Sequence, residues 1–160
     1  MKALLCAIIF AALCIAACTK TDVQPPQQVS ANTSDNLSIV KTRSSYLVSN
    51  KWVYNALYFN YIDQQHKGDP QYIRGASNNI LDLDKTIYSF KDDGTFVELD
   101  GGYKYPGTWK FTDKTASLLV LDYTYWTDND SILVMSNKLC NYTQPIGYHH
   151  KSYTEWKTTK

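Results

Sequence analysis

"YSFKDDGTF", residues 88–96, decides how this chain folds. Tyr88 and Phe90 stand two apart, so an extended backbone puts both rings on one face. The run then breaks at Asp92-Asp93-Gly94 and resumes with Phe96. Asp-Gly between β-forming runs is a strong hairpin signal, because glycine takes positive φ without penalty and aspartate accepts from nearby backbone N–H groups. A calcium loop needs alternate carboxylates, a glycine at its sixth place and a closing glutamate. Asp92, Asp93 and Glu98 do not keep that spacing, and neighbouring strand residues point to opposite faces. The stretch therefore reads as a turn joining two strands, with its rings starting an inner face.

The same rhythm extends in both directions. Short runs rich in aromatic and β-branched residues lie at 51–62, 86–90, 95–100, 107–112, 116–125, 130–136 and 147–157. Turn clusters separate them: Asp100-Gly101-Gly102, Tyr105-Pro106-Gly107, Asp113-Lys114, Asp128-Asn129-Asp130 and Gln144-Pro145. Helix signals are nearly absent. Short strands at such spacing predict an all-β, antiparallel sandwich or barrel. Only 63–84 breaks the pattern, and it is expected to be a long loop carrying a helical turn.

Taken in order, Lys51-Trp52, "YSFKDDGTF" (88–96), "GTWKF" (107–111), "LLVL" (118–121) and "ILVM" (132–135) resemble the lipocalin-like domain of small bacterial lipoproteins. The most specific part is F-x-x-D-G-T-F followed by G-x-W, met by Phe90, Asp93, Gly94, Thr95, Phe96, Gly107 and Trp109. The resemblance implies a small up-and-down β-barrel or half-barrel whose tryptophans pack toward a closed end. The first strand, apolar on both faces, and the 63–84 insert depart from that pattern.

The amino end speaks to location. One positive residue, Lys2, precedes an uncharged apolar run of about fifteen residues, the layout of a secretory signal and too short for a permanent bilayer span. It ends in Ile15-Ala16-Ala17-Cys18, which resembles a lipoprotein lipobox. The resemblance implies a signal peptide over 1–17 and lipidation of Cys18, with acyl chains anchoring the protein in the membrane. The residue after that cysteine is Thr19, not aspartate, which favours the outer membrane of a Gram-negative envelope. Residues 18–45, rich in Gln, Ser, Thr, Asn and Pro, are expected to be a flexible tether, and residues 46–160 the single barrel domain.

Removing the signal takes away one of 16 basic residues, leaving 15 against 15 acidic. A neutral chain without a basic stripe offers no nucleic-acid footprint. Cys6 and Cys14 leave with the signal, so Cys140 is the lone remaining thiol, and its apolar context predicts a buried, unreactive one. His149-His150 alternate to opposite faces in a strand, so at most one can join His66, and without a cysteine or a further histidine neither a metal nor another cofactor is expected. No nucleophile motif or spaced acid pair argues for catalysis. Asp130-Ser131-Ile132 resembles a bacterial O-glycosylation signal.

The 13 tyrosines exceed what so small a core can hide, and tyrosine joins an apolar body to a polar tip. Tyr54, Tyr58, Tyr123, Tyr125 and Trp126 are the candidate ligand-binding residues, taken from the first strand and from the segment 123–126. The expectation is a non-enzymatic, lipid-anchored protein that binds a small apolar or amphipathic ligand at the barrel mouth, gated by 63–84. The alternative is an interaction module whose tyrosine-rich outside meets a protein or glycan.

Overall fold

The computed structural model describes residues 33–159. The expected signal peptide, Cys18 and the first part of the expected tether lie outside them. One helix, α1 (Thr33–Val48), precedes nine strands: β1 (Lys51–Phe59), β2 (Asp69–Ile73), β3 (Ile87–Phe90), β4 (Thr95–Asp100), β5 (Tyr103–Phe111), β6 (Leu118–Tyr123), β7 (Thr127–Met135), β8 (Leu139–Ile146) and β9 (His150–Thr159).

From β3 to β9 each strand pairs antiparallel with the next, an up-and-down meander. Closure depends on β1, which pairs with β3 through Lys51–Val53 on one edge and with β9 through Lys51–Tyr58 on the other. Eight strands thus form a closed lipocalin-like barrel, not a half-barrel. The outer half of β1, Ala56–Phe59, takes β2 as a further partner and extends the wall beyond β3.

Register fixes the inner face. Trp52, Tyr54, Tyr88, Phe90, Phe96 and Trp156 turn inward, and ring centroids there lie between 4.4 and 6.5 Å apart. These rings form one core with Leu119, Leu121, Ile132, Cys140 and Tyr142. Narrow barrels are filled in this way by inward side chains. The 92–94 corner forms as expected: Gly94 has φ +80°, while Asp93 Oδ1 accepts from the Thr95 N–H at 2.9 Å and from its hydroxyl at 2.6 Å.

Gly107 is required by contact, not by turning. A Cβ there would lie 2.5 Å from the Phe96 ring and 2.6 Å from the Asp122 carbonyl oxygen. The glycine of the G-x-W pattern is therefore the groove that Phe96 occupies.

Several sequence expectations are corrected. Residues 33–45, expected in the tether, form most of α1, which belongs to the domain. Leu47 is fully buried under the barrel end, and Arg43 Nη1 donates to the Ala116 carbonyl at 2.7 Å. The last helical carbonyls find donors: Asn50 Nδ2 to Tyr46 at 3.0 Å and the Trp52 indole to Leu47 at 3.0 Å. The polar composition hides this helix because tertiary contacts, not propensity, hold it.

Segment 63–84 contains strand β2 and no helical turn. Tyr105-Pro106-Gly107 lies inside β5. Pairing of β5 with β6 begins only at Gly107, so Pro106 has β4 as its one neighbour and its missing N–H breaks no ladder on the free side. Pro145 is tolerated in β8 for the same reason, beyond the last β7 pair at Thr143. Asp128-Asn129-Asp130 also proves to be strand, within β7.

Candidate binding site at the barrel mouth

The end opposite α1 carries the β4–β5, β6–β7 and β8–β9 turns and forms the mouth. Here β5 runs on to Tyr103 while β6 stops at Tyr123, and the two strands separate. The gap is a cleft of about 130 Å³ lined by Tyr105, Pro106, Tyr123, Tyr125 and Trp126, with Lys104 on its outer wall. Trp126 stacks on Tyr123 with centroids 4.3 Å apart and meets Tyr105 edge-on at 6.2 Å. It remains 44% exposed, so its free face is open to a ligand.

Below the rings the wall becomes polar. The Tyr123 hydroxyl donates to Glu98 Oε2 at 2.6 Å, and the Tyr54 and Tyr88 hydroxyls share a hydrogen bond of 3.1 Å. Asp128 and Asp130, two apart on β7, share the inner face, since they pair with the inward Leu121 and Leu119. Burial raises the carboxyls of Glu98 and Asp128 above the ordinary range, with hydrogen bonds from tyrosine hydroxyls, or from Gln144 and Trp126, opposing it. Asp130 is pushed well above its usual value by burial first and by the charge of Asp128 second.

Of the five candidate ligand residues, the structure brings three into one cleft: Tyr123, Tyr125 and Trp126. Tyr54 is an interior ring beneath it, packed edge-on against Tyr72, Tyr88 and Trp156. Tyr58 is elsewhere. A bulge between Tyr54 and Ala56 reverses the facing of β1, and Tyr58 lies on the outside with Tyr153 at 6.1 Å and the Lys67 ammonium 5.6 Å from its ring. This bulge also explains a first strand apolar on both sides. Sequence reasoning missed Tyr105, Glu98, Asp128 and Asp130. Strict alternation from Phe96 and from Ile132 would have placed both sets of acids inward.

Four of the clefts among the described residues hold about 130 to 270 Å³, below the roughly 300 Å³ of a common small-molecule pocket. None of these four is lined by the central rings of Trp52, Tyr88, Phe90 or Trp156. His149 and His150 line a separate surface cleft with Tyr61 and Lys151. His66 pairs with Asp63 at 2.9 Å. Among the described residues no group of three or more His, Cys, Asp or Glu side chains is placed to hold a metal ion. Cys140 is buried, and burial pushes its thiol up, away from reactivity. In Asp130-Ser131-Ile132 only Ser131 faces out; both flanking side chains are buried.

Neither a protein-family model nor a curated protein matches this chain. Among solved structures, the crystal structure of a DUF4847 family protein from Bacteroides vulgatus ATCC 8482 is similar, with a TM-score of 0.51 and 16% sequence identity over 71% of this chain and 95% of that one. At that identity the likeness concerns the fold. The architecture is a small lipocalin-like barrel. No helix among the described residues is long and apolar enough to cross a membrane.

Proposed function

We propose that this chain is a lipid-anchored envelope protein, held in the outer membrane through Cys18, whose lipocalin-like barrel binds a small amphipathic ligand at its mouth without catalysing a reaction. The observation that carries the reading is the open face of Trp126 in a cleft walled by Tyr105, Tyr123 and Tyr125, with the Glu98 carboxyl reached through the Tyr123 hydroxyl. Because the centre is filled by rings, the ligand sits in the mouth cleft and not in an internal chamber.

Tryptophan fluorescence tests this. The chain reconstituted in lipid nanodiscs is titrated with water-soluble aromatic probes that are neutral, cationic and anionic. Saturable quenching by at least one probe, lost in Trp126→Leu, is expected. Absence of saturable quenching by all three sinks the reading.

A second reading has its own observation. Tyr103, Tyr125 and Tyr148 are 73, 89 and 99% exposed, and each belongs to a different mouth turn or its edge. Such a tyrosine crown suits a protein or glycan partner. Replacing Tyr103 and Tyr148 by serine would abolish glycan or peptide binding while leaving probe quenching at Trp126 intact.

A further inference from the structure

Resting on the mouth reading, the charge of the ligand can be argued from the side chains that line the barrel below the cleft. Glu98, Asp128 and Asp130 all turn inward. The ion pairs found among the described residues, Asp63–His66, Lys67–Glu155 and Arg74–Asp84, include none of the three. The groups within electrostatic reach of Asp130 are Asp128 on its own strand, Tyr54 on β1, and Cys140 and Tyr142 on β8. None of these is a cation; Arg43 on α1, which acts on Cys140, donates to the Ala116 carbonyl. Lys104 also lines the cleft, from an outward position of β5 opposite Leu99, and is exposed.

Asp130 supplies an independent observation. It is 1% exposed, and its Oδ1 has no hydrogen-bond partner. Buried polar atoms nearly always have one, so an orphan in a native interior calls for an explanation. A buried carboxyl without donors stays neutral by holding a proton, or ionises when a donor-bearing cation arrives. Above it, Asp128 is only half-buried and lies toward the mouth, near Trp126 and Gln144. The cleft rings present faces of the kind that attract ammonium groups.

We propose that the mouth cleft is a site for a small organic ammonium ion, whose apolar part lies against Tyr105, Tyr123 and Trp126 and whose N–H donors meet Asp128 with Asp130 behind it. The cation replaces the proton that Asp130 holds in the free protein. That proton leaves to solvent, so the net charge of the site is unchanged by binding. A neutral ligand of the same shape keeps the ring contacts and loses the rest.

The test uses the full chain in nanodiscs and three probes of one shape: tyramine, 4-ethylphenol and 3-(4-hydroxyphenyl)propionate. Tyramine is expected to bind at least about tenfold more tightly than 4-ethylphenol, with the propionate weakest. Asp128→Asn should bring tyramine down to the 4-ethylphenol level and leave 4-ethylphenol unchanged. Calorimetry in two buffers of different protonation heat should show about one proton released per tyramine, falling to about none in Asp130→Asn.

Equal affinity for tyramine and 4-ethylphenol overturns the charge inference and leaves the mouth reading standing. Failure of all three probes removes both. A melting curve for each variant separates lost binding from lost fold, and full tyramine affinity in a folded Asp128→Asn also overturns the proposal.

Discussion

Gly107 and Asp130 show how differently single residues can be read. Gly107 belongs to a pattern that the sequence displays, and contact with Phe96 gives that pattern its cause. Adding one methyl group must push the ring or the strand, so Gly107→Ala should destabilise by about 1–3 kcal/mol, read as a lower denaturant midpoint at unchanged slope. Asp130 sits in "TDND", a composition that signals a turn. Alternation carried back from Ile132 would have placed it inward, and its pairing with Leu119 does so in the structure.

The inward acids have a pH signature. The carboxyls of Glu98, Asp128 and Asp130 lie above their ordinary values in the fold, so the unfolded chain loses these protons first. Their contribution is fully present below the unfolded values near 4 and declines as pH rises toward the folded ones, by at most about 1.4 kcal/mol per pH unit for each proton. Asp113 and Glu155 are shifted the opposite way, and their contribution is lost on acidification below the ordinary range. Chemical denaturation between pH 5.5 and 8 should therefore show stability falling with pH, and Asp130→Asn should flatten that fall. An unchanged slope in the variant would count against Asp130 as a proton holder.

Among the elements, α1 and β2 were illegible for related reasons. Neither carries a strong pattern of its own, and each is held by partners distant in sequence. Leu47 is the anchor of α1: Leu47→Ala should cost about 2–5 kcal/mol, whereas Trp52→Phe, which removes the indole donor to the Leu47 carbonyl, should cost about 1 kcal/mol. Both are measured by equilibrium unfolding. Around β2, Arg74 Nε donates to the Tyr54 carbonyl at 2.6 Å and its guanidinium lies 3.6 Å from Asp84. Tyr72 also donates to Asp84 at 2.6 Å. Arg74→Ala should therefore loosen 74–86 and speed limited proteolysis there, with little change in global unfolding. Strands β3 and β4 were far easier to read, because each shows alternation beside the Asp93-Gly94 turn.

At the scale of the molecule, the meander could be read from the order of its hairpins, but ring closure could not. Closure depends on β1 offering one edge to β9 and the other to both β3 and β2, a division set by its bulges. The filled centre was also beyond the sequence: counting rings predicts aromatic walls without saying whether space is left between them. The anchor belongs to this scale as well. Cys18→Ser should move the protein from the membrane fraction to the soluble fraction, and persistence in membranes would refute lipidation at that residue.

The helical cover on one end of the barrel bears on how a ligand arrives. The chain enters the domain at Thr33, and α1 lies against the Ala116 turn and Met135, the end farthest from the Trp126 cleft. Within residues 33–159, a small molecule therefore meets exposed rings at the Trp126 end and a helix at the other.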